Sequence, residues 1–307
     1  MKKILVIGSL NMDFSIKTPK MPVPGETIIG ESFHLNPGGK GANQAFAIGK
    51  LGADVSMLGM VGNDEYAKLL KQNLESVNVN TQGIIEQNNT STGVAFVTVD
   101  SNGENSIIVI SGANEKVNTE FIDENINLID DADIIVMQLE IPVDVVTYVA
   151  RIAKEKNKLV VLDPAPARAD LPDELFSYVD IMKPNETELS ILTGVDTSND
   201  DNIIKAGKSL VEKGVKNVIV SLGGRGSILV NKDYNKKFNS LGLTPIDTTA
   251  AGDSFTAALV SYLASDKSLE EAIQFGHVVS SIVITKKGAQ ESIPSLEEVR
   301  LFLENRK

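Results

Sequence analysis

The 307-residue chain carries 29 Lys and Arg against 41 Asp and Glu, a formal charge of −12 at pH 7. With no basic stripe to neutralise phosphates, this balance excludes a nucleic-acid-binding role and disfavours attachment to anionic lipid. At 42% hydrophobic and 23% charged residues the chain can bury a substantial core, and the absence of Cys rules out disulfides, thiolate metal sites and a Cys nucleophile.

From the N-terminus, Met1-Lys2-Lys3 precedes only a short apolar run, Ile4 to Ile7, before Gly8 and Ser9. A signal-peptide apolar region needs roughly 7 to 15 residues, so this run predicts a strand and a cytoplasmic protein. No stretch reaches the roughly 18 apolar residues of a membrane span. Similar β-branched runs recur at residues 55–58, 134–137, 159–162, 181–183 and 218–221, each flanked by a helical stretch. Uninterrupted apolar runs imply strands buried on both faces, and their alternation with helices predicts an α/β fold around a mostly parallel sheet. Such sheets bind ligands at the carboxyl ends of their strands.

Two segments break the pattern. Residues 14–36 are rich in Pro and Gly (Pro19, Pro22, Pro24, Gly25, Gly30), and residues 92–112 hold an alternating stretch around Ser101-Asn102-Gly103 that predicts a β-hairpin. They are expected to form a small separate sheet, either as decorated surface loops or as a lid over reacting phosphates. The whole chain, 1–307, then reads as one α/β domain.

Between these segments, Pro37-Gly38-Gly39-Lys40-Gly41-Ala42-Asn43-Gln44 leads into the helically spaced Ala45, Phe46, Ala47, Ile48 and Leu51. Glycines before a helix let a small ligand approach the backbone, and Lys40 and Asn43 offer donors there; a plain Gly-rich loop is the alternative. The common nucleotide fingerprints are absent. Gly207-Lys208-Ser209 ends like a phosphate-binding loop, but Asn202 stands where its first Gly belongs, and no complete G-x-G-x-x-G follows a predicted strand.

The strongest local signal is Asp247-Thr248-Thr249-Ala250-Ala251-Gly252-Asp253, which runs into a helix marked by Phe255, Ala258, Leu259, Tyr262 and Leu263. Small residues at a helix N-terminus leave backbone N–H groups open to an anion such as a transferring phosphoryl group. Asp253 lies in the first turn, as a reacting carboxylate or merely as a complement to the helix dipole.

Together, Gly38 to Asn43 and Asp247 to Leu259 resemble, in order and separation, the two signatures of the ribokinase family, the PfkB-type carbohydrate kinases. The resemblance covers essentially the whole chain. Asn11-Met12-Asp13, the Lys after Gly38-Gly39, Gln138-Leu139-Glu140 and Asp163-Pro164-Ala165-Pro166-Ala167-Arg168 are similar to the family's ribokinase branch. The resemblance implies a three-layer α/β/α core with a small β-sheet lid. It also implies transfer of the γ-phosphate of ATP to the 5-hydroxyl of D-ribose, with ADP as the other product.

By that resemblance Asp253 is the general base, and Ala250, Ala251 and Gly252 form the anion hole. Asn11, Asp13, Gly39, Lys40, Asn43 and Glu140 hold the sugar, the first two at the carboxyl end of the first strand. Lys40 and Glu140 have an alternative as solvated surface charges. Asn185-Glu186-Thr187-Glu188 resembles the family's N-x-x-E motif, which makes Asn185 and Glu188 supports for Mg²⁺ and the phosphates, through waters as Mg²⁺ prefers. Ser221-Leu222-Gly223-Gly224-Arg225-Gly226 resembles the nucleotide-binding turn, with Gly252 also counted toward the nucleotide and His277 near the adenine. His277 sits among Phe275, Val278 and Val279, so a core-facing histidine is an equal reading. His34, in the first lid segment, has no assigned role.

The family's use of K⁺ implies a cation beside the anion hole, held by oxygens of Asp247, Thr249, Val283, Lys286, Gly288 and Ser292. It would order the turn and add positive potential without entering the chemistry. Family analogy also implies a homodimer through the lid strands. Two other functions stay open: a related kinase for another sugar or nucleoside, and a catalytically silent sugar-binding protein. An intact Asp253 beside an intact anion turn argues against the silent protein.

Overall fold

Alternate residues of the first strand serve two different cores. Leu5 and Ile7 pack with Val146 and Val149, whereas Ile4 and Val6 pack with Phe46, Ile48 and Leu259. A strand with apolar side chains on both faces belongs inside a sheet covered by helices on both sides. The computed structural model describes residues 1–306 and has that arrangement.

Its strands are β1 (Ile4–Ile7), β2 (Asn11–Lys17), β3 (Ser32–Gly38), β4 (Val55–Gly62), β5 (Asn80–Gln87), β6 (Gly93–Val99), β7 (Asn105–Ile110), β8 (Ile134–Met137), β9 (Leu159–Leu162), β10 (Ile181–Met182), β11 (Asn217–Ser221), β12 (Ser227–Asn231) and β13 (Asn235–Phe238). Nine of them form one sheet in the order β13-β12-β11-β10-β9-β8-β1-β4-β5. All its pairings are parallel except β11 with β12 and β12 with β13. The helices Lys40–Lys50 and Ala251–Ala264 cover one face, and Val143–Glu155 and Asp200–Glu212 the other, giving three layers.

Each apolar run read from the sequence lies in this sheet. The run at 55–58 extends to Gly62, and that at 181–183 shortens to two residues. The strands β5 and β13 carry Asn80-Thr81-Gln82 and Asn235-Lys236-Lys237, so their sequences lack the apolar signature of the central strands.

The remaining four strands form a second sheet, β3-β2-β6-β7. Its β6–β7 hairpin turns at Gly103 (φ 82°), where the Asp100 carboxylate accepts the N–H groups of Asn102 and Glu104 at 2.8 and 3.0 Å. Phe14 packs on Phe96 at 5.0 Å and edge-on to Tyr66 at 5.6 Å, which ties this sheet to the helix Glu65–Glu75. The sheet starts earlier than residue 14 and ends later than 36. Asn11 pairs with Gly38 on one side and Gly93 on the other, so Asn11 and Asp13 belong to β2, which starts just beyond the carboxyl end of β1. Gly8 to Leu10 intervene, and the chain has already turned into the second sheet. Among the described residues, no helix is long and apolar enough to cross a membrane.

Candidate active site

Helix N-termini leave unpaired N–H groups that side chains usually satisfy. Asn185, Ser268 and Ser295 do so with full capping boxes, yet the helix Ala251–Ala264 starts at Ala250 with no side-chain cap. Ala250 adopts φ 58°, a left-handed conformation unfavourable to a residue with a Cβ. An open helix terminus held in a strained turn is suited to an anion.

Asp253, in the first turn, is buried but not isolated. Its Oδ2 accepts from Asn43 Nδ2 at 3.0 Å and its Oδ1 from Gln44 Nε2 at 3.1 Å. Both amides come from the helix Lys40–Lys50, which begins pressed against the β1–β2 connection. A Cβ on Gly41 would lie 2.6 Å from Ser9 N, so only glycine permits that approach.

Behind this contact runs a buried polar network. Gln44 Nε2 also donates to Asp163 Oδ2 at 3.0 Å, and Lys183 Nζ lies 3.2 Å from the same oxygen. Lys183 Nζ further donates to Gly252 O at 3.3 Å, tying the ion pair to the anion turn. Gln138 Nε2 donates to Gln44 Oε1 at 2.6 Å, and Gln290 Nε2 to Asn43 Oδ1 at 2.9 Å. Gln44, Asp163, Lys183, Gln138 and Gln290 received no role from the sequence; only the clustering of Gln44, Gln138 and Asp163 inside or beside the motifs hinted at them.

Beside Asp253 lies a cluster of polar side chains. Glu140 Oε2 accepts from Ser9 Oγ at 2.5 Å and Lys40 N at 2.9 Å, and Asn11 Oδ1 accepts from Asn114 Nδ2 at 2.8 Å. Glu140 is therefore no free surface charge. Burial, with the carboxylates of Glu140 and Asp253 nearby, pushes the Asp13 carboxyl up to about 7. Its buried Oδ1 has no partner, an acceptor available to a hydroxyl. Burial opposes the Lys40 ammonium, but Asp253, Asp163, Glu140 and Glu188 outweigh it and hold the group above its ordinary range. The Gly39 backbone (φ 86°) passes so close to Asn11 that a Cβ would lie 2.8 Å from Asn11 N.

A cleft of 520 Å³ opens at the carboxyl ends of β10 and β11. Its walls bring together Asn185, Glu188, Ser221, Gly223, Gly224, Gly226, Ala250, Ala251, Gly252 and His277, together with Lys40 and Asp253. His277 Nε2 shares a 2.8 Å hydrogen bond with Ser227 Oγ, and the ring meets Phe255 edge-on at 5.1 Å. Burial pushes it down to about 4, so it is a neutral wall residue.

The Asn185–Glu188 pair carries a second duty. Asn185 Oδ1 accepts from Glu188 N at 2.8 Å, and Glu188 Oε2 accepts from Asn185 N at 2.7 Å. The N-x-x-E spacing is thus a capping box, and it holds the carboxylate at the cleft wall. Burial raises the Glu188 carboxyl, and a divalent cation there would favour its charged form, so the donor chemistry fits Mg²⁺.

The C-terminal loop packs behind the anion turn. Burial alone would raise the Asp247 carboxyl, but donors from Thr249 N, Thr249 Oγ1 and Gly288 N at 2.7 to 2.9 Å hold it down. Ile246 and Asp247 donate to Ile284 O, while Lys286 Nζ turns away to Glu298 at 2.9 Å. The Val283 carbonyl accepts from Lys286 N, and Ser292 Oγ donates to Ala289 O. Carboxylate, hydroxyl and carbonyl oxygens are the donor types a hard monovalent cation takes, and the Lys287 ammonium, whose charge also acts on Asp247, would compete with it there.

A positioned carboxylate, an open helix terminus and an adjoining cleft suit group transfer to a polar acceptor. The model of the pfkB family carbohydrate kinases matches residues 1–296. The chain belongs to the pfkB family. Within it, a ribokinase from Haemophilus influenzae is 40% identical over 304 residues, covering 99% of both chains. A deoxyribokinase from Salmonella typhi is 37% identical over 98% of each. Among pfkB-like structures, Arabidopsis thaliana ribokinase complexed with ribose and ATP superposes with a TM-score of 0.93 at 35% identity, over 99% of each chain.

Proposed function

We infer that this chain is an ATP-dependent ribokinase, converting D-ribose and ATP to D-ribose 5-phosphate and ADP. The observation that carries the reading is Asp253, fixed by two amide donors in the first turn of a helix that no side chain caps. Asn11, Asp13, Gly39, Lys40, Asn43 and Glu140 hold the sugar, and its 5-hydroxyl lies against the Asp253 carboxylate. Asp253 takes that proton as the oxygen bonds to the γ-phosphorus, and the bond to the ADP oxygen breaks. The phosphoryl oxygens gather charge and face the anion hole of Ala250, Ala251 and Gly252, with Lys40 alongside.

ATP lies along Asn185, Ser221, Gly223, Gly224 and Gly226, its base toward neutral His277. Asn185 and Glu188 would support Mg²⁺, which would neutralise phosphate charge. Asp247, Thr249, Val283, Lys286, Gly288 and Ser292 would hold K⁺, which would order the anion turn and add positive potential. A supply of ATP supports the reading of a cytoplasmic enzyme.

The second sheet, with segments 14–36 and 92–112, serves as a lid over the sugar and as the surface through which two chains pair. Ribose is expected to slow protease cleavage near Gly103; equal cleavage with and without it would remove the lid.

The test is ADP release with Mg²⁺-ATP across ribose, deoxyribose, fructose, adenosine and no sugar, each with and without K⁺. Selective turnover of ribose, raised by K⁺, is expected. Preference for deoxyribose would favour the second reading, which rests on the deoxyribokinase relative. Asp253→Asn is expected to lose about 10² to 10⁴ of kcat with ribose affinity nearly intact. A variant keeping more than about a tenth of the rate removes Asp253 from the role.

A further inference from the structure

An ionised carboxylate only accepts hydrogen bonds, so Asn43 and Gln44 must turn their NH₂ groups toward Asp253. Their carbonyl oxygens then face away and need donors of their own. Gln290 Nε2 supplies one to Asn43 at 2.9 Å, and Gln138 Nε2 supplies one to Gln44 at 2.6 Å. Gln138 is fully buried and does not line the cleft. It packs against Gly8, where a Cβ would lie 2.1 Å from its Oε1, and that oxygen has no partner.

The orphaned oxygen follows from the direction of the network. Flipping Gln138 would set its oxygen against Gln44 Oε1. Flipping both would aim a Gln44 oxygen at the carboxylates of Asp163 and Asp253, which Gln44 Nε2 now bridges at 3.0 and 3.1 Å. The fold keeps one unpaired acceptor at Gln138 and avoids two repulsive contacts, one at Asp163 and one at the reacting carboxylate of Asp253.

We propose that Gln138, with Gln290 as its counterpart on Asn43, is a positioning residue: it fixes the amide polarity of Gln44 and so holds Asp253 in place for the sugar hydroxyl. The proposal rests on the reading of Asp253 as the base. The charged groups around Gln44 and Asp253 are Asp163 with Lys183, then Lys40, Glu140, Asp13 and Glu188.

The test compares wild type with Gln138→Met, Gln138→Glu, Gln290→Met and Asp253→Asn, reading kcat, ribose KM and melting temperature at about pH 6 and about pH 8.5. Gln138→Met is expected to lower kcat by about 10- to 100-fold with KM within about twofold. A glutamate donates when protonated and only accepts when ionised, so the Gln138→Glu deficit is expected to be at least about threefold smaller at the lower pH. A structural role alone would give equal deficits at both pH values, and that result overturns the proposal. Wild-type kcat in Gln138→Met overturns it too. If neither Gln138 variant folds, Gln290→Met decides: a loss of at least about tenfold supports the proposal, and wild-type kcat refutes it. An active Asp253→Asn enzyme would sink the base reading and this proposal together; an inactive one beside fully active Met variants would sink the positioning role alone.

Discussion

Asp13 shows how a single side chain trades stability for binding. Burial and two neighbouring carboxylates raise its carboxyl from an ordinary 3.8 to about 7. Between those values the folded chain binds a proton that the unfolded chain has released, so its contribution falls as pH rises through the window. Asp13→Asn removes the titration. Its melting temperature is expected to exceed wild type by a margin that widens from about pH 5 to about pH 8, while ribose KM rises at least about tenfold. Thermal scans at both pH values check the sign, and a margin that does not widen removes the buried-charge account. Asp253, Lys40 and Asn43 were legible because they sit inside contiguous motifs. Lys183, Asn114 and Gln290 were not: they reach the site from strands and loops distant in sequence, and an amide or a single Lys in a chain carries no pattern that announces a buried partner.

At the scale of elements, legibility followed burial. The central strands declared themselves because both faces are apolar, whereas β2 and β3 were foreseen only as part of a small sheet with blurred bounds, because Pro and Gly crowd the connection between them and β2 opens on the polar Asn11 and Asp13. The small residues beside β2 have a positive purpose. Gly38 and Gly93 flank Asn11 in the register, and a Cβ on Gly93 would lie 2.1 Å from Asn11 Oδ1 and 2.3 Å from Asn114 Nδ2. Gly93→Ala is therefore expected to cost about 1 to 3 kcal/mol of stability through overpacking. It should also displace Asn11 and raise ribose KM more than it lowers kcat. Gly30→Ala is the control, since its Cβ meets nothing nearer than 3.5 Å. Similar KM changes in both variants would assign the effect to the sheet in general and not to the Asn11 contact.

At the scale of the molecule, the second sheet leaves an unusual surface. Among the described residues the strand β7 ends its row with no partner on its outer edge, and Ile107, Ile108, Val109 and Ile110 along it are 49 to 68% exposed. Phe33 and Leu35 on β3 add to the exposed apolar set. A long apolar edge strand favours pairing with another chain unless charges or Pro blunt it, and residues 107–110 contain neither. The proposed dimer places a second copy over this edge, and light scattering is expected to give a mass near twice 33.0 kDa. Ile108→Lys with Ile110→Lys should leave single chains, because a charge buried without a partner opposes association. The strand order carries the consequence to the site: β7 pairs with β6, and β6 pairs with β2, which carries Asn11 and Asp13. Separated chains are therefore expected to show a ribose KM raised severalfold with kcat less affected. Single chains in wild type would remove the dimer, and a double variant that dissociates with unchanged KM would separate assembly from sugar binding.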